Sequence, residues 1–322
     1  MTDRSPLSPE ASAQLERFVR PSGRWARGGV ELLVRLLRLM GHGGRQATAS
    51  SVGHLAHALG IRRRVTEDNL RAAFPDWPAQ RIHQVARAAY VNMAHAALDG
   101  MMASTLRDEE AQEMLLDGPG AAAFFEAARS GGGAILATAH FGSWELLGDL
   151  LLRRGVPISA VVRPLSGALN RRIVASRVRA GMHLIHPRGA IQSVIRALRE
   201  GRVVAVLSDQ SVPAEGGHFI PFFGRPASTA PTLSVAARRT GVPVFVGAAR
   251  RVDHRIEFFC EQVPIRKTAH QREDVINHLT EVTAALEAFI RAQPEQWLWL
   301  HRRWKVLPPE ALTEASTPLL SP

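Results

Sequence analysis

From Gly118 onward, short apolar runs alternate with amphipathic stretches of 10 to 15 residues, and this alternation confines the chain to α/β architectures. The apolar run Ala134 to Ala139 follows Gly131-Gly132-Gly133 and reads as a buried strand. Further strands are expected at Ile158 to Val162, His183 to His186, Val203 to Leu207, Val244 to Ala249 and Arg255 to Cys260. Between them lie helical patterns at Ser143 to Arg154, Ala168 to Ala180, Ala190 to Arg199 and Thr229 to Thr240, with a last long helix at Arg272 to Arg291. The stretch between Leu207 and Ser228 reads as a loop rich in Gly, Pro and Phe. The expected fold class is α/β: a mixed, mostly parallel sheet flanked by helices. No repeat, no GxGxxG after the first strand and no Walker A sequence is present, so nucleotide binding finds no support.

Upstream the pattern is helical, with periodic apolar positions at Arg63 to Ala73 and Ala79 to Met102 separated by the Phe74 to Pro78 turn. The net charge of +11 is concentrated here, since Leu15 to Val65 holds ten arginines against two glutamates, a local +8. Arg24, Arg27, Glu31, Arg35 and Arg38 recur at helical spacing, and Val30, Leu32, Leu33, Val34, Leu36, Leu37, Leu39 and Met40 fill the rest of that helix. Such a helix suits an anionic bilayer interface or packing on the protein's own core. No apolar stretch reaches the roughly 18 residues of a membrane span, and the first 20 residues lack a signal-peptide core. The expected organisation is a flexible tail (1–14), a basic helical arm (15–115), an α/β core (116–307) and a second tail (308–322).

In sheets of this kind, ligands meet the carboxyl ends of the strands. Three strands here run into polar residues there: Thr138-Ala139-His140-Phe141-Gly142-Ser143-Trp144-Glu145, Val161-Val162-Arg163-Pro164 and Leu207-Ser208-Asp209-Gln210. His140 and Glu145 are five apart, which on a continuous helix leaves them about 140° apart. They can meet only if His140 precedes the helix. Gly142 permits the turn and Ser143 is a plausible N-cap. Glu145 would then accept a hydrogen bond from one imidazole nitrogen and leave the other as a base. Such a base can activate an alcohol against an acyl thioester, with free backbone amides near Gly142 to Trp144 as oxyanion donors. Arg163 offers a fork for a phosphate, and Asp209 and Gln210 offer partners for sugar or glycerol hydroxyls. No GxSxG serine is present.

Rival chemistries are weaker. The lone Cys260 sits in an apolar stretch and reads as core. His54 with His57, or His183 with His186, have chelating spacing but no adjacent Cys or carboxylate set, so no metal site is expected. The basic arm carries few aromatics and no zinc-ligand spacing, which argues against nucleic acid. The segment Trp297 to Lys305 reads as a buried terminal strand whose basic end meets lipid phosphates.

Six blocks carry a resemblance. They are Asn69 to Pro75, His140 to Glu145, Arg163-Pro164 with Asn170, Asp209-Gln210, Pro221 to Thr229, and Trp297 to Lys305. In this order they are similar to the lipid A biosynthesis acyltransferases, the lauroyl and myristoyl transferases of Gram-negative bacteria, within the wider His-x4-Asp/Glu group. The resemblance implies His140 and Glu145 as the catalytic pair, with Arg163 and Asp209 holding the acceptor or positioning the reacting groups. It also implies an acyl carrier protein or acyl-CoA donor, a lipid acceptor, an inner-membrane surface at its cytoplasmic face, and no metal or nucleotide cofactor. Ser143 stands where many members carry Asn. Same-fold alternatives are a lysophospholipid or aminolipid acyltransferase and a catalytically silent lipid-binding protein.

Overall fold

In the computed structural model, residues 7–19, 23–164, 166–253 and 255–308 are described. Helices α1 (Pro9–Phe18), α2 (Arg24–Leu39), α3 (His42–Ala58), α4 (Arg63–Ala73), α5 (Ala79–Met102) and α6 (Asp108–Met114) come first. Then follow β1 (Leu115–Asp117), α7 (Ala121–Arg129), β2 (Ala134–Thr138), α8 (Trp144–Arg153), β3 (Ile158–Val161), α9 (Ala168–Arg179), β4 (His183–Ile185), α10 (Ala190–Arg199) and β5 (Val203–Leu207). A hairpin of β6 (His218–Phe222) and β7 (Arg225–Thr229) leads to α11 (Thr232–Thr240), β8 (Val244–Val252), β9 (Arg255–Gln262) and α12 (Gln271–Ala292).

The main sheet has the order β1-β9-β8-β2-β5-β3-β4. Strands β8, β2, β5, β3 and β4 are parallel, while β9 pairs antiparallel with β8 and parallel with β1. The α/β class with a mostly parallel sheet is therefore as expected. Strand β2 lies inside the sheet and is buried along its whole length. Its alternate residues feed two cores, Ile135 and Ala137 on one face and Ala134 and Leu136 on the other. One core is covered by α10, α11, α12 and the hairpin, the other by α1, α7, α8 and α9. The crossover from β2 goes to β3 on one side, and that from β5 returns to β8 on the other, placing a topological switch at the β2–β5 pair.

Three expectations need correction. Helix α1 takes up residues 9–14 of the segment expected as an N-terminal tail, because Ser8 caps it and Leu15 and Phe18 are buried against the second core. Residues 1–6 and 309–322 of the expected tails lie outside the described residues. The Gly/Pro/Phe loop contains the β6–β7 hairpin, whose Phe222 and Phe223 point inward. The Trp-rich end is buried but is not a strand. It follows a 3-10 turn at Pro294–Gln296 and forms an isolated β-bridge between Trp297 and Phe141.

Helix α2 packs on the protein's own core with only part of its apolar surface. A narrow stripe, Val34 and Leu37, packs with Ala49 of α3 and Leu98, Met101 and Met102 of α5. Trp25, Leu32, Leu36 and Leu39 form another stripe that stays in solvent, with Trp25 94% and Leu39 85% exposed. Val52 and Leu55 of α3, with Leu59 at its C-cap, are also exposed at helical spacing. No helix among the described residues is long and apolar enough to cross a membrane.

Candidate active site

Register brings the central pair together. Thr138 of β2 is level with Leu207 of β5, so His140 and Asp209 each lie two residues past their strand. The Nδ1 of His140 is 2.9 Å from Asp209 Oδ1, and the His140 amide donates to Asp209 Oδ2 at 3.0 Å. Trp297 Nε1 donates to the same Oδ2 at 2.8 Å. Burial alone would raise the Asp209 carboxyl. The field and hydrogen bonds of His140, with the Trp297 donor, overcome it and hold the group at about 2. An ionised carboxylate only accepts, so Nδ1 carries the proton and Nε2 presents its lone pair. Gln210 Nε2 lies 3.3 Å from that nitrogen. The His140 side chain is 21% exposed and that of Asp209 2%, so the imidazole opens outward over a covered carboxylate.

Glu145 does not bond the imidazole, contrary to expectation. It lies in the first turn of α8, where Arg177 of α9 grips it through Nη2 at 2.5 Å and Nε at 3.1 Å. Trp144 Nε1 adds a bond at 3.2 Å. Burial pushes the Glu145 carboxyl up, and the Arg177 charge and hydrogen bonds more than offset it, so it lies below its ordinary value. The carboxylate bonded to His140 is instead Asp209, a residue whose expected roles were to meet substrate hydroxyls, hold the acceptor or position the reacting groups.

The turn between His140 and α8 forms as expected. Gly142 has φ +54°, and a Cβ there would sit 1.8 Å from the Ala249 carbonyl oxygen. Ser143 occupies the N-cap position of α8, but its hydroxyl caps nothing and instead donates to Asp99 at 2.8 Å while accepting from Arg251. The expected oxyanion donors are already used at two positions: the Gly142 amide donates to Gln296 O at 2.8 Å and that of Ser143 to Ala249 O at 3.0 Å. The amides of Trp144 and Glu145, which open α8, have no backbone partner among the described residues. Arg163 is exposed in the loop after β3, and Asn170 is half-buried in the first turn of α9.

The family model of the bacterial lipid A biosynthesis acyltransferases matches residues 19–306, which takes in every group just described. The chain belongs to that family. This acyltransferase is 25% identical over 253 residues to the lipid A biosynthesis palmitoleoyltransferase of Escherichia coli (strain K12), a match spanning 77% of this chain and 80% of the relative. The lipid A biosynthesis acyltransferase of Shigella flexneri matches to the same extent.

Much of the acyltransferase's remaining sequence pattern is scaffold around the His140–Asp209 pair. Asn69 Nδ2 donates to the carbonyls of Trp299 and His301, both at 2.7 Å, tying α4 to the C-terminal segment. Arg303, expected to face lipid phosphate, is 1% exposed and donates to Ser228 O and Thr229 Oγ1 of β7. Phe222 and Phe223 stack around Trp297. His301 accepts the Ser211 amide at 3.1 Å, and burial pushes its imidazole down to about 4. Trp297, Arg177 and Gln296 were not anticipated as site neighbours. Their bonds to Asp209, Glu145 and Gly142 join residues more than 30 positions apart, which no local spacing records.

Proposed function

We propose that this acyltransferase transfers a fatty acyl group from a thioester to a hydroxyl of a lipid A precursor, with His140 as general base. The observation that carries the reading is the His140–Asp209 pair, which fixes the proton on Nδ1 and turns Nε2 outward. Nε2 takes the proton of the acceptor hydroxyl as its oxygen attacks the thioester carbonyl. The negative charge that develops on the carbonyl oxygen meets the amino end of α8, at the Trp144 and Glu145 amides. Collapse of the tetrahedral intermediate breaks the carbon–sulfur bond, and the imidazolium returns its proton to the departing thiolate. Asp209 stabilises the imidazolium throughout. Glu145, held by Arg177, shapes the start of α8 rather than the imidazole, while Arg163 and Asn170 on the β3–α9 side engage the acceptor's phosphate.

An acyl carrier protein suits the donor role, since its acidic surface complements a chain of net charge +11. The exposed apolar stripes of α2 and α3, set among Arg24, Arg27, Arg35 and Arg38, suit an anionic bilayer at the cytoplasmic face of the inner membrane. The test is transfer from labelled acyl carrier protein, and in parallel from acyl-CoA, to a total lipid extract. Wild type should yield a labelled lipid whose mass identifies the acceptor, and His140→Ala should be slower by roughly 100- to 10,000-fold. Equal labelling by both proteins would remove His140 from the reaction. No product from either, with vesicle binding intact, would favour a silent lipid-binding protein.

A further inference from the structure

The helical arm holds a second cluster of chemically active side chains on three separate helices. His57 of α3, Glu67 of α4 and His83 of α5 bring their candidate ligand atoms within 4.8 Å of one another. His83 Nδ1 lies 3.6 Å from Glu67 Oε1, and the two imidazole rings are 4.9 Å apart. A tetrahedral zinc centre with bonds of about 2.0–2.1 Å separates its ligand atoms by roughly 3.3 Å, so small side-chain rotations close the set. The second observation concerns His57 itself. It is only 6% exposed, and its Nε2 has no hydrogen-bond partner. A buried ring nitrogen without a hydrogen-bond partner is unfavourable, and the His57 ring lies beside two further ligands.

We infer that His57, Glu67 and His83 form a binding site for a divalent transition-metal ion that joins α3, α4 and α5. The donor set of two imidazoles and one carboxylate suits zinc, and a water would complete four-coordination. Arg71 holds the other carboxylate oxygen, Glu67 Oε2, at 2.9 Å and so orients Oε1 toward the histidines. Arg71 is shared with Asp68 at 3.3 Å, which moderates its charge beside a cation. Arg63 Nε stands 3.9 Å from Oε1 on a side chain that is 47% exposed and able to swing into solvent. The chelating spacing of His54 and His57 is not the relevant one: His54 faces solvent, and His57 finds its partners across the bundle. The metal would fix α3, whose exposed Val52 and Leu55 belong to the apolar surface of the arm.

The experiment uses the untagged full-length chain, stripped of metal and titrated with zinc chloride against a chromophoric chelator. Wild type should bind one equivalent of zinc, and cobalt(II) should give the visible bands of a four-coordinate ion. His83→Ala, at an exposed position, and Glu67→Gln should each weaken zinc binding at least about 10-fold while circular dichroism stays unchanged. His54→Ala should leave it unaltered. Zinc should raise the melting temperature of wild type and not of His83→Ala. Absence of stoichiometric uptake, or uptake that survives His83→Ala, would overturn the site.

Discussion

At the scale of single residues, the chemistry turns on which carboxylate holds His140. Asp209 accepts from Nδ1 and from the His140 amide, while Glu145 is committed to Arg177. Asp209→Asn keeps the size of the side chain but can stabilise the wrong tautomer, and should lower kcat by roughly 10³- to 10⁴-fold with little change in KM. The same substitution has a stability signature. The Asp209 carboxyl is lowered from 3.8 to about 2 on folding, so its ionisation contributes about 2 kcal/mol that is fully present above pH 5. Because the folded value is the lower one, that contribution disappears as pH falls from about 5 toward 2. Urea unfolding of wild type and Asp209→Asn should therefore show a gap at pH 7 that narrows toward pH 3. A gap independent of pH would mean the carboxylate's ionisation is not what stabilises the fold.

At the scale of elements, the turn between β2 and α8 sets the direction in which His140 points. Gly142 lies in the left-handed region with the Ala249 carbonyl against its Cα. Gly142→Ala adds about 1–2 kcal/mol of backbone strain, to which the steric conflict with that carbonyl must be added. The variant should melt lower and lose activity together, whereas Gly216→Ala, at an open position, should do neither. Normal activity in Gly142→Ala would show that the turn is not essential for placing His140. The C-terminal segment contributes as an element of another kind. It has little regular structure, yet Leu298 N bonds the His140 carbonyl at 3.0 Å and Trp297 reaches Asp209. Trp297 therefore builds the wall of the site instead of a lipid-facing edge.

At the scale of the whole molecule, the exposed stripes of α2 and α3 leave a large apolar surface on a strongly basic arm. Replacing Leu36 and Leu39, which are 50% and 85% exposed, by Glu removes apolar contact and adds negative charge without disturbing Val34 or Leu37 beneath. Sedimentation with anionic vesicles should fall at least about 10-fold in this double variant, with an unchanged melting temperature. Wild-type binding should also weaken with added salt, since Debye screening shortens the reach of the arginines. Equal sedimentation of both proteins would assign these helices to another partner.

The strand–helix alternation from Ala134 to Cys260 was legible because apolar period and length are written locally, and α4, α5 and α10 match their expected bounds. The strand ends bearing His140 and Asp209 were legible for the same reason, as was the need for glycine at position 142. The β6–β7 hairpin was missed because its turn residues, Phe223 and Gly224, lack an Asn-Gly or Asp-Gly signal, and Phe223 itself takes φ +53°. The sequence by itself determined the fold class, the parallel core and the set of polar groups delivered to one sheet edge. Only the tertiary structure decided how those groups pair: strand register set His140 on Asp209, and helix packing set Glu145 on Arg177. The reason is physical. Periodicity fixes which way a side chain leaves its own element, whereas a hydrogen-bond partner 69 residues away is chosen by the packing of the whole chain.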